Sequence, residues 1–256
     1  LTINAASVNN TNTQGSNQGL EGNNVSLSAS SIDNTTGAIR ANNDTTLTSS
    51  GTINNTNGLV SAGNTLAVQD TAANKALAIT NTNGTLIAGQ QLTVDSASLS
   101  GDGKVLSQGN LNVTLKQSIT NSGQIIANGN ATVETDATLT NQGTLAARNT
   151  FNAKAATIDN QAGGTISATN VKLQATDSHM LTNRGTINGT ETVLETQTLN
   201  NLGTGKIYGD HVALGATTVT NAAENGTAPV IAARDRLDIG ADTINNSISL
   251  YTSVWA

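Results

Sequence analysis

The chain has 256 residues, a formal net charge of −6 and no cysteine. Its basic residues are few and scattered, so they form no basic stripe that could neutralise a phosphate backbone, which argues against nucleic acid binding. The missing cysteines exclude disulfides and thiolate metal sites and leave the compartment open. Aromatic residues make up only 2% of the chain, which fits a thin core with one aliphatic or small residue per strand position.

A motif of an aliphatic residue, any residue and asparagine recurs along the whole chain at intervals of about 20 residues. We call it the first box. Self-similarity at such a period predicts a repeat architecture. Its aliphatic members are Val8, Ile32, Ile53, Ile79, Leu99, Ile119, Leu139, Ile158, Leu181, Leu199, Val219 and Ile244. Its third positions are Asn10, Asn34, Asn55, Asn81, Gly101, Asn121, Asn141, Asn160, Asn183, Asn201, Asn221 and Asn246, so only Gly101 breaks the column.

Two further boxes complete each repeat. The second box reads glycine, any, aliphatic, any, small, as in Gly143-Thr144-Leu145-Ala146-Ala147. The third box pairs apolar residues two apart, as in Leu92 and Val94. Each box alternates apolar and polar residues, the period of a strand with one buried face, and helical spacing is not sustained anywhere.

Three short strands in each of about twelve stacked coils predict an all-β solenoid, a right-handed parallel β-helix. We expect one elongated repeat domain over residues 1–246, with residues 247–256 forming a terminal strand or a cap. The asparagines are expected at inner corners, where stacked amides can bond one another along the axis. Glycine and asparagine are both expected there because they tolerate positive φ.

The repeat around Leu139-Thr140-Asn141-Gln142-Gly143 resembles the repeats of filamentous haemagglutinins and related exoproteins of two-partner secretion. Contact-dependent growth inhibition toxins have stalks of similar repeats. The resemblance implies a filament segment, monomeric in itself, that is secreted to the surface of a Gram-negative bacterium. The implied partners are an outer-membrane transporter, which recognises a region not in this chain, and a receptor on a host or neighbouring cell. It implies a structural stalk that presents adhesive or toxin modules, without enzymatic activity or a cofactor.

No apolar run approaches the roughly 20 residues that a membrane-spanning helix needs. The chain starts at Leu1 without a positively charged leader, so we expect a fragment or a processed segment. The repeat occupies nearly the whole length, which favours the middle of a stalk.

The coils lengthen at four places between boxes, where we expect outward loops. Most such loops are solvated spacers, and the alternative is that they bind a receptor or a glycan. The lengthened segments are Thr11 to Gln18, Gln69 to Ala78, Gln174 to Met180 and Ala222 to Ala228.

No residues stand out as catalytic, cofactor-binding or metal-binding. His179 and His211 lie on different coils without a second ligand type at metal spacing, so both are expected at the surface. Asp33, Asp159 and Asp238 are expected to face outward on separate coils, whereas a polysaccharide-active enzyme on this fold would cluster its acids. An ice-binding face is disfavoured because only five of the twelve positions between the aliphatic residue and the asparagine are threonine and because the coil length varies. A leucine-rich repeat is rejected because no helical half follows the asparagine.

Overall fold

The computed structural model describes residues 1–247, except for the side chains of residues 177–179. Every regular element in this part is a β-strand, and none of its segments is a helix long and apolar enough to cross a bilayer. The first strands are β1 Thr2–Asn9, β2 Leu20–Gly22, β3 Val25–Asp33, β4 Ala38–Ala41, β5 Thr45–Ser49, β6 Thr52–Asn54, β7 Leu59–Ala62, β8 Thr65–Asp70, β9 Ala78–Thr80, β10 Thr85–Ala88, β11 Gln91–Ser96, β12 Ser98–Ser100, β13 Lys104–Ser107 and β14 Asn110–Leu115. The others are β15 Ile119–Asn121, β16 Gln124–Ala127, β17 Ala131–Thr135, β18 Thr138–Asn141, β19 Thr144–Ala147, β20 Thr150–Asn160, β21 Thr165–Asn183, β22 Thr186–Glu195, β23 Thr198–Leu202, β24 Lys206–Gly215, β25 Thr218–Ala222, β26 Val230–Gly240 and β27 Thr243–Ser247.

Each strand pairs in parallel with the equivalent strand of the next coil. In the first box Ile53 lies opposite Ile79, and in the third box Leu92 lies opposite Leu111. The stacked copies of the three boxes form three faces, which we call the first, second and third face. The predicted right-handed parallel β-helix is confirmed, with about eleven turns where the boxes predicted about twelve coils.

The later coils depart from the expected three short strands. β20 joins a third box to a first box, and β21 runs through all three boxes of its coil. The strands merge because residues at the corners stay extended and keep pairing with the next coil, as Asn170 does with Glu191. The predicted loop at Gln174 to Met180 is wrong for the same reason. This insertion lies inside β21 and is accommodated by a register shift opposite Ala155 and Thr157.

The core is a thin column inside the coils. Along a strand, buried residues alternate with partly or fully exposed ones, as in β5, where Thr45, Leu47 and Ser49 are buried and the two residues between them are partly exposed. Small and aliphatic side chains fill the interior, and Phe151 is its largest fully buried residue. In the last described coil Leu237 and Ile244 are 43% and 53% exposed, because described coils cover them on one side only.

Close backbone approach, not positive φ, explains the glycines that open the second box. Gly84 has an ordinary φ, but a Cβ built on it would lie 2.0 Å from the carbonyl oxygen of Asn55 and 2.4 Å from the Asn81 amide oxygen. Only hydrogen fits there. The asparagines of the column also avoid positive φ, so the expectation that both residue types adopt it is wrong.

In four early coils the residue two positions after the column asparagine has positive φ, namely Asn12, Thr36, Asn57 and Asn83, with φ of 50° to 59°. The corner thus turns after the column position and not at it. Gly101 differs from the asparagines of the column, because at the column position itself it has a positive φ of 102°.

Candidate functional site: the amide column and the tied loops

The asparagines of the first box stack into a column of hydrogen-bonded amides at the first corner. Nine of them, from Asn10 to Asn201, are 0 to 5% exposed. Within each unbroken series, the Nδ2 of one asparagine donates to the Oδ1 of the asparagine in the next coil at 2.7 to 2.9 Å. The bonded series are Asn10, Asn34, Asn55 and Asn81, then Asn121, Asn141, Asn160, Asn183, Asn201, Asn221 and Asn246.

A second bond connects each of the nine buried amides, Asn10 to Asn201, to the backbone of the next coil. The same Nδ2 donates to a carbonyl oxygen at the start of the next second box, for example Asn141 to Thr165 at 3.2 Å and Asn121 to Thr144 at 3.1 Å. Both hydrogens of the amide group are therefore used away from water. Such satisfied networks stabilise a buried corner that would otherwise lose the hydrogen bonds of its polar groups.

The column has one interruption and one capped end. At Gly101 no side chain continues the series, although Asn81 still donates to the Lys104 carbonyl oxygen at 3.1 Å. At the N-terminal end of the column, the Thr13 hydroxyl donates to Asn10 Oδ1 at 2.9 Å. This hydroxyl supplies the donor that an asparagine supplies elsewhere in the column.

The first lengthened segment, Thr11 to Gln18, lies in a loop of residues 11–19 to which one arginine makes several hydrogen bonds. Arg40 donates through Nη2 to the Gln14 carbonyl oxygen at 2.8 Å and through Nη1 to that of Gln18 at 3.0 Å. The same guanidinium bonds the Glu21 carboxylate at 2.6 Å. The loop is therefore fixed against the second face.

The loop of residues 71–77 is organised around a carboxylate. Asp70 accepts hydrogen bonds from the backbone N–H groups of Ala72 at 2.7 Å and Leu77 at 2.5 Å. Burial raises the pKa of Asp70, but the bonds from the N–H groups outweigh burial and lower this pKa overall. Lys75 forms an ion pair with Asp95 of the next coil, and Leu77 is fully buried.

The lengthened segment after Ala222 folds as a small β-hairpin. Glu224 and Thr227 exchange two backbone hydrogen bonds of 3.0 Å across Asn225 and Gly226. Both turn residues have positive φ, 51° and 77°, as an Asn-Gly type I′ turn requires. We call residues 222–229 the hairpin.

A bidentate ion pair attaches the hairpin to the coil of Arg184. Arg184 bonds the Glu224 carboxylate through Nε at 2.7 Å and through Nη2 at 3.0 Å. The hydrogen bond from Arg184 lowers the pKa of Glu224, and the same bond raises the pKa of Arg184. The hairpin thus spans the intervening coil to reach Arg184.

This pair makes the docking of the hairpin dependent on pH. A carboxylate with a lowered pKa adds stability above its unfolded-state pKa, and that stability is lost as the pH falls through the folded-state pKa. We expect the hairpin to open as the pH falls below the ordinary range of a glutamate carboxyl, seen as a lower hydrogen-exchange protection factor for the Thr227 amide. Glu224→Gln should open it already at pH 7, while global stability falls by only about 0.5 kcal/mol because the pair is solvent-screened.

The matched control for this prediction is Glu134→Gln, since Glu134 is an exposed carboxylate outside the ion pairs of the described residues. It should leave Thr227 protected at pH 7. A Thr227 protection factor that stays unchanged both at pH 3 and in Glu224→Gln would contradict the role of the pair.

Three consecutive coils bring a histidine between two carboxylates. His211 Nδ1 lies 2.7 Å from Glu191 Oε1, and its Nε2 lies 2.8 Å from Asp238 Oδ2. The hydrogen bonds from His211 and then Arg236 lower the pKa of Asp238. Sequence reasoning missed this set, and the strand register that pairs Glu191 with His211 is the signal that could have found it.

The other predicted acids stay apart. Asp33 accepts hydrogen bonds from the backbone and hydroxyl of Thr35 at 3.0 and 2.6 Å. Asp159 is not simply outward-facing, since its Oδ1 is buried without a hydrogen-bond partner while its Oδ2 accepts from Gln161. Asp238 is exposed, as expected. Within the described part of the chain no three His, Asp or Glu side chains are arranged to hold a metal ion.

Two predictions concern parts that the structure leaves out. The surface position expected for His179 depends on a side chain outside the described residues. The terminal strand or cap expected over residues 247–256 also lies outside them, apart from Ser247 in β27.

Comparison with known protein families assigns most of this chain. The model described as Haemagglutinin repeat matches four overlapping segments, residues 1–89, 69–123, 86–143 and 126–187. No curated protein and no solved structure matches the chain. The matched segments together cover residues 1–187 of a 256-residue chain. The chain therefore belongs to the haemagglutinin repeat family.

Proposed function

We propose that this chain is a stalk segment of a secreted, surface-exposed filamentous exoprotein, either an adhesin or a contact-dependent growth inhibition protein. Haemagglutinin repeats stacked in a β-solenoid fit an adhesin-type stalk. In this role the chain is a rigid spacer that presents adhesive or toxin modules. The observation that carries the proposal is the amide column, which links successive coils by the same pair of hydrogen bonds.

The physical mechanism is propagation between nearest neighbours. Each coil bonds to the next through parallel strand pairs, the core aliphatic residues and the amide column, so length is set by the number of coils. Eleven steps at about 4.8 Å give a rod roughly 50 Å long. We propose that residues 1–246 form one such unit and that its coils fold in sequence as they emerge from a pore.

The proposal extends to secretion and partners. Haemagglutinin repeats are associated with two-partner secretion exoproteins, so we propose export through an outer-membrane transporter of a Gram-negative bacterium. Recognition by that transporter would use a region not in this chain. The loop of residues 11–19 and the hairpin support a structural role without enzymatic activity. Their polar groups form hydrogen bonds and ion pairs with residues of the coils, as Gln14 does with Arg40 and Glu224 with Arg184.

The spacer role predicts that length grows linearly with copy number. Residues 11–246 can be joined in tandem without disturbing the repeat. Asn246 occupies the same position in its coil as Asn10, eleven coils earlier, so Thr11 of the next copy can follow Asn246 as it follows Asn10. Negative-stain electron microscopy of one, two and three copies should show straight rods that lengthen by roughly 50 Å per copy. A control with a Gly/Ser linker between copies should bend freely at the joint. Bent or compact particles without the linker would contradict a rigid spacer.

A further inference from the structure

A shallow groove runs along the rod axis on the outside of the second face in the later coils. It consists of two adjoining cavities of about 350 Å³ each, which share Asn188 and Arg234. Small residues form its floor, among them Gly209 and Ala232. The groove extends from the coil of Arg148 to that of Arg234, a distance of roughly 19 Å over four coil steps.

One aromatic ring lies in this groove. Tyr208 is stacked by strand register between Asn188 of the preceding coil and Ala232 of the next. Among the described residues the chain has two aromatic side chains, of which Phe151 is fully buried, so Tyr208 is the one that reaches the surface. Tyrosine is common in β-strands, which accounts for its presence in β24 but not for its position in the groove.

Charged and polar groups line the rest of the groove. Arg148 is exposed and forms no ion pair with any described residue. Arg234 lies on the last coil of the groove, lines both cavities and is paired with Asp210. The hydroxyls of Thr169 and Thr190 and the amide of Asn188 lie between them. The groove therefore offers one uncompensated guanidinium, one aromatic face and a row of hydroxyl and amide groups.

We propose that this groove binds a linear oligosaccharide that carries a carboxylate. A guanidinium recognises a carboxylate with two parallel hydrogen bonds, and a tyrosine ring offers an apolar face with a polar tip. Arg148 and Tyr208 lie three coil steps apart, roughly 14 Å, so one ligand must extend over several sugar units to contact both.

Other ligand classes fit the groove less well. A peptide that adds a strand needs a free sheet edge, whereas here β22 is paired on both sides, with β21 and β24. A nucleic acid needs more positive charge than one uncompensated arginine. A lipid chain needs a deep apolar cavity, and this floor is shallow and edged by polar groups. The inference concerns the side of the rod and is independent of the stalk assignment.

The test is a titration of the whole chain with tetragalacturonate and with its methyl ester, followed by NMR and calorimetry. The acid should shift the amide signals of Ser167, Asn188 and Tyr208. Arg148→Gln should weaken binding of the acid about tenfold and leave the ester unchanged, because it removes one charge-assisted contact. Tyr208→Ala should weaken both ligands about tenfold, and Tyr208→Phe should retain binding.

The matched control is Lys154→Gln, which removes an exposed cation on the third face and should leave both affinities unchanged. Each variant is first shown to unfold at the same denaturant midpoint as the original chain or within a small shift of it. Absence of binding by the original chain would overturn the proposal. So would an equal loss in Lys154→Gln, or full retention of binding by folded Tyr208→Ala and Arg148→Gln.

Discussion

Replacing Asn141 with leucine should lower the free energy of unfolding by about 3 kcal/mol, although the two side chains have similar size. Asn141 is fully buried. Its Nδ2 donates to Asn160 and to the Thr165 carbonyl oxygen, and its Oδ1 accepts from Asn121. Leucine would leave these three partners without their bond in a site that water does not reach. The measurement is the midpoint of urea unfolding.

The matched control is Asn112→Leu. Asn112 points outward from β14 and is exposed, so its replacement should change stability by no more than about 0.5 kcal/mol. An equal midpoint for Asn141→Leu and the original chain would contradict the stabilising role of the column.

Replacing Gly84 with alanine should destabilise the coil by about 3 kcal/mol because there is no space for a methyl group. The added Cβ would lie 2.0 Å from the Asn55 carbonyl oxygen and within 3 Å of two amides of the column. Backbone and column would both have to move. At about 3 °C per kcal/mol for a chain of this size, the melting temperature should fall by roughly 10 °C.

Gly215→Ala is the matched control for this substitution. Gly215 also lacks positive φ, but the nearest atom to its added Cβ is 3.9 Å away, which is ordinary contact. Its melting temperature should change little. Equal melting temperatures for the two variants would show that the glycine of the second box does not act through close approach.

The sequence predicts what repeats within every coil and misses what varies between coils. The apolar alternation of the boxes predicts the strands, and Ile53 and Leu92 are buried as expected. The boxes predict a glycine at position 84, but they do not predict that close approach of the backbone is what requires it. One repeat does not show that the corner residue touches the coil before it.

Contacts between distant coils are hidden for a different reason. The pair of Arg184 and Glu224 joins residues 40 apart, and it forms only because the hairpin folds across an intervening coil. The bonds of His211 with Glu191 and Asp238 depend on the length of each coil, which insertions change. Reading such contacts from sequence requires the phase of every coil, and insertions such as residues 174–180 obscure it.

A double-mutant cycle that pairs Asn141→Leu with Asn160→Leu tests most directly whether the amides bond one another along the axis. Their Nδ2 to Oδ1 distance is 2.8 Å, so the two effects on unfolding free energy should be non-additive by about 1 kcal/mol. The cycle of Asn55 with Asn183, which are separated by several coils, should be additive. Additive effects in the adjacent pair as well would show that these amides do not form a column.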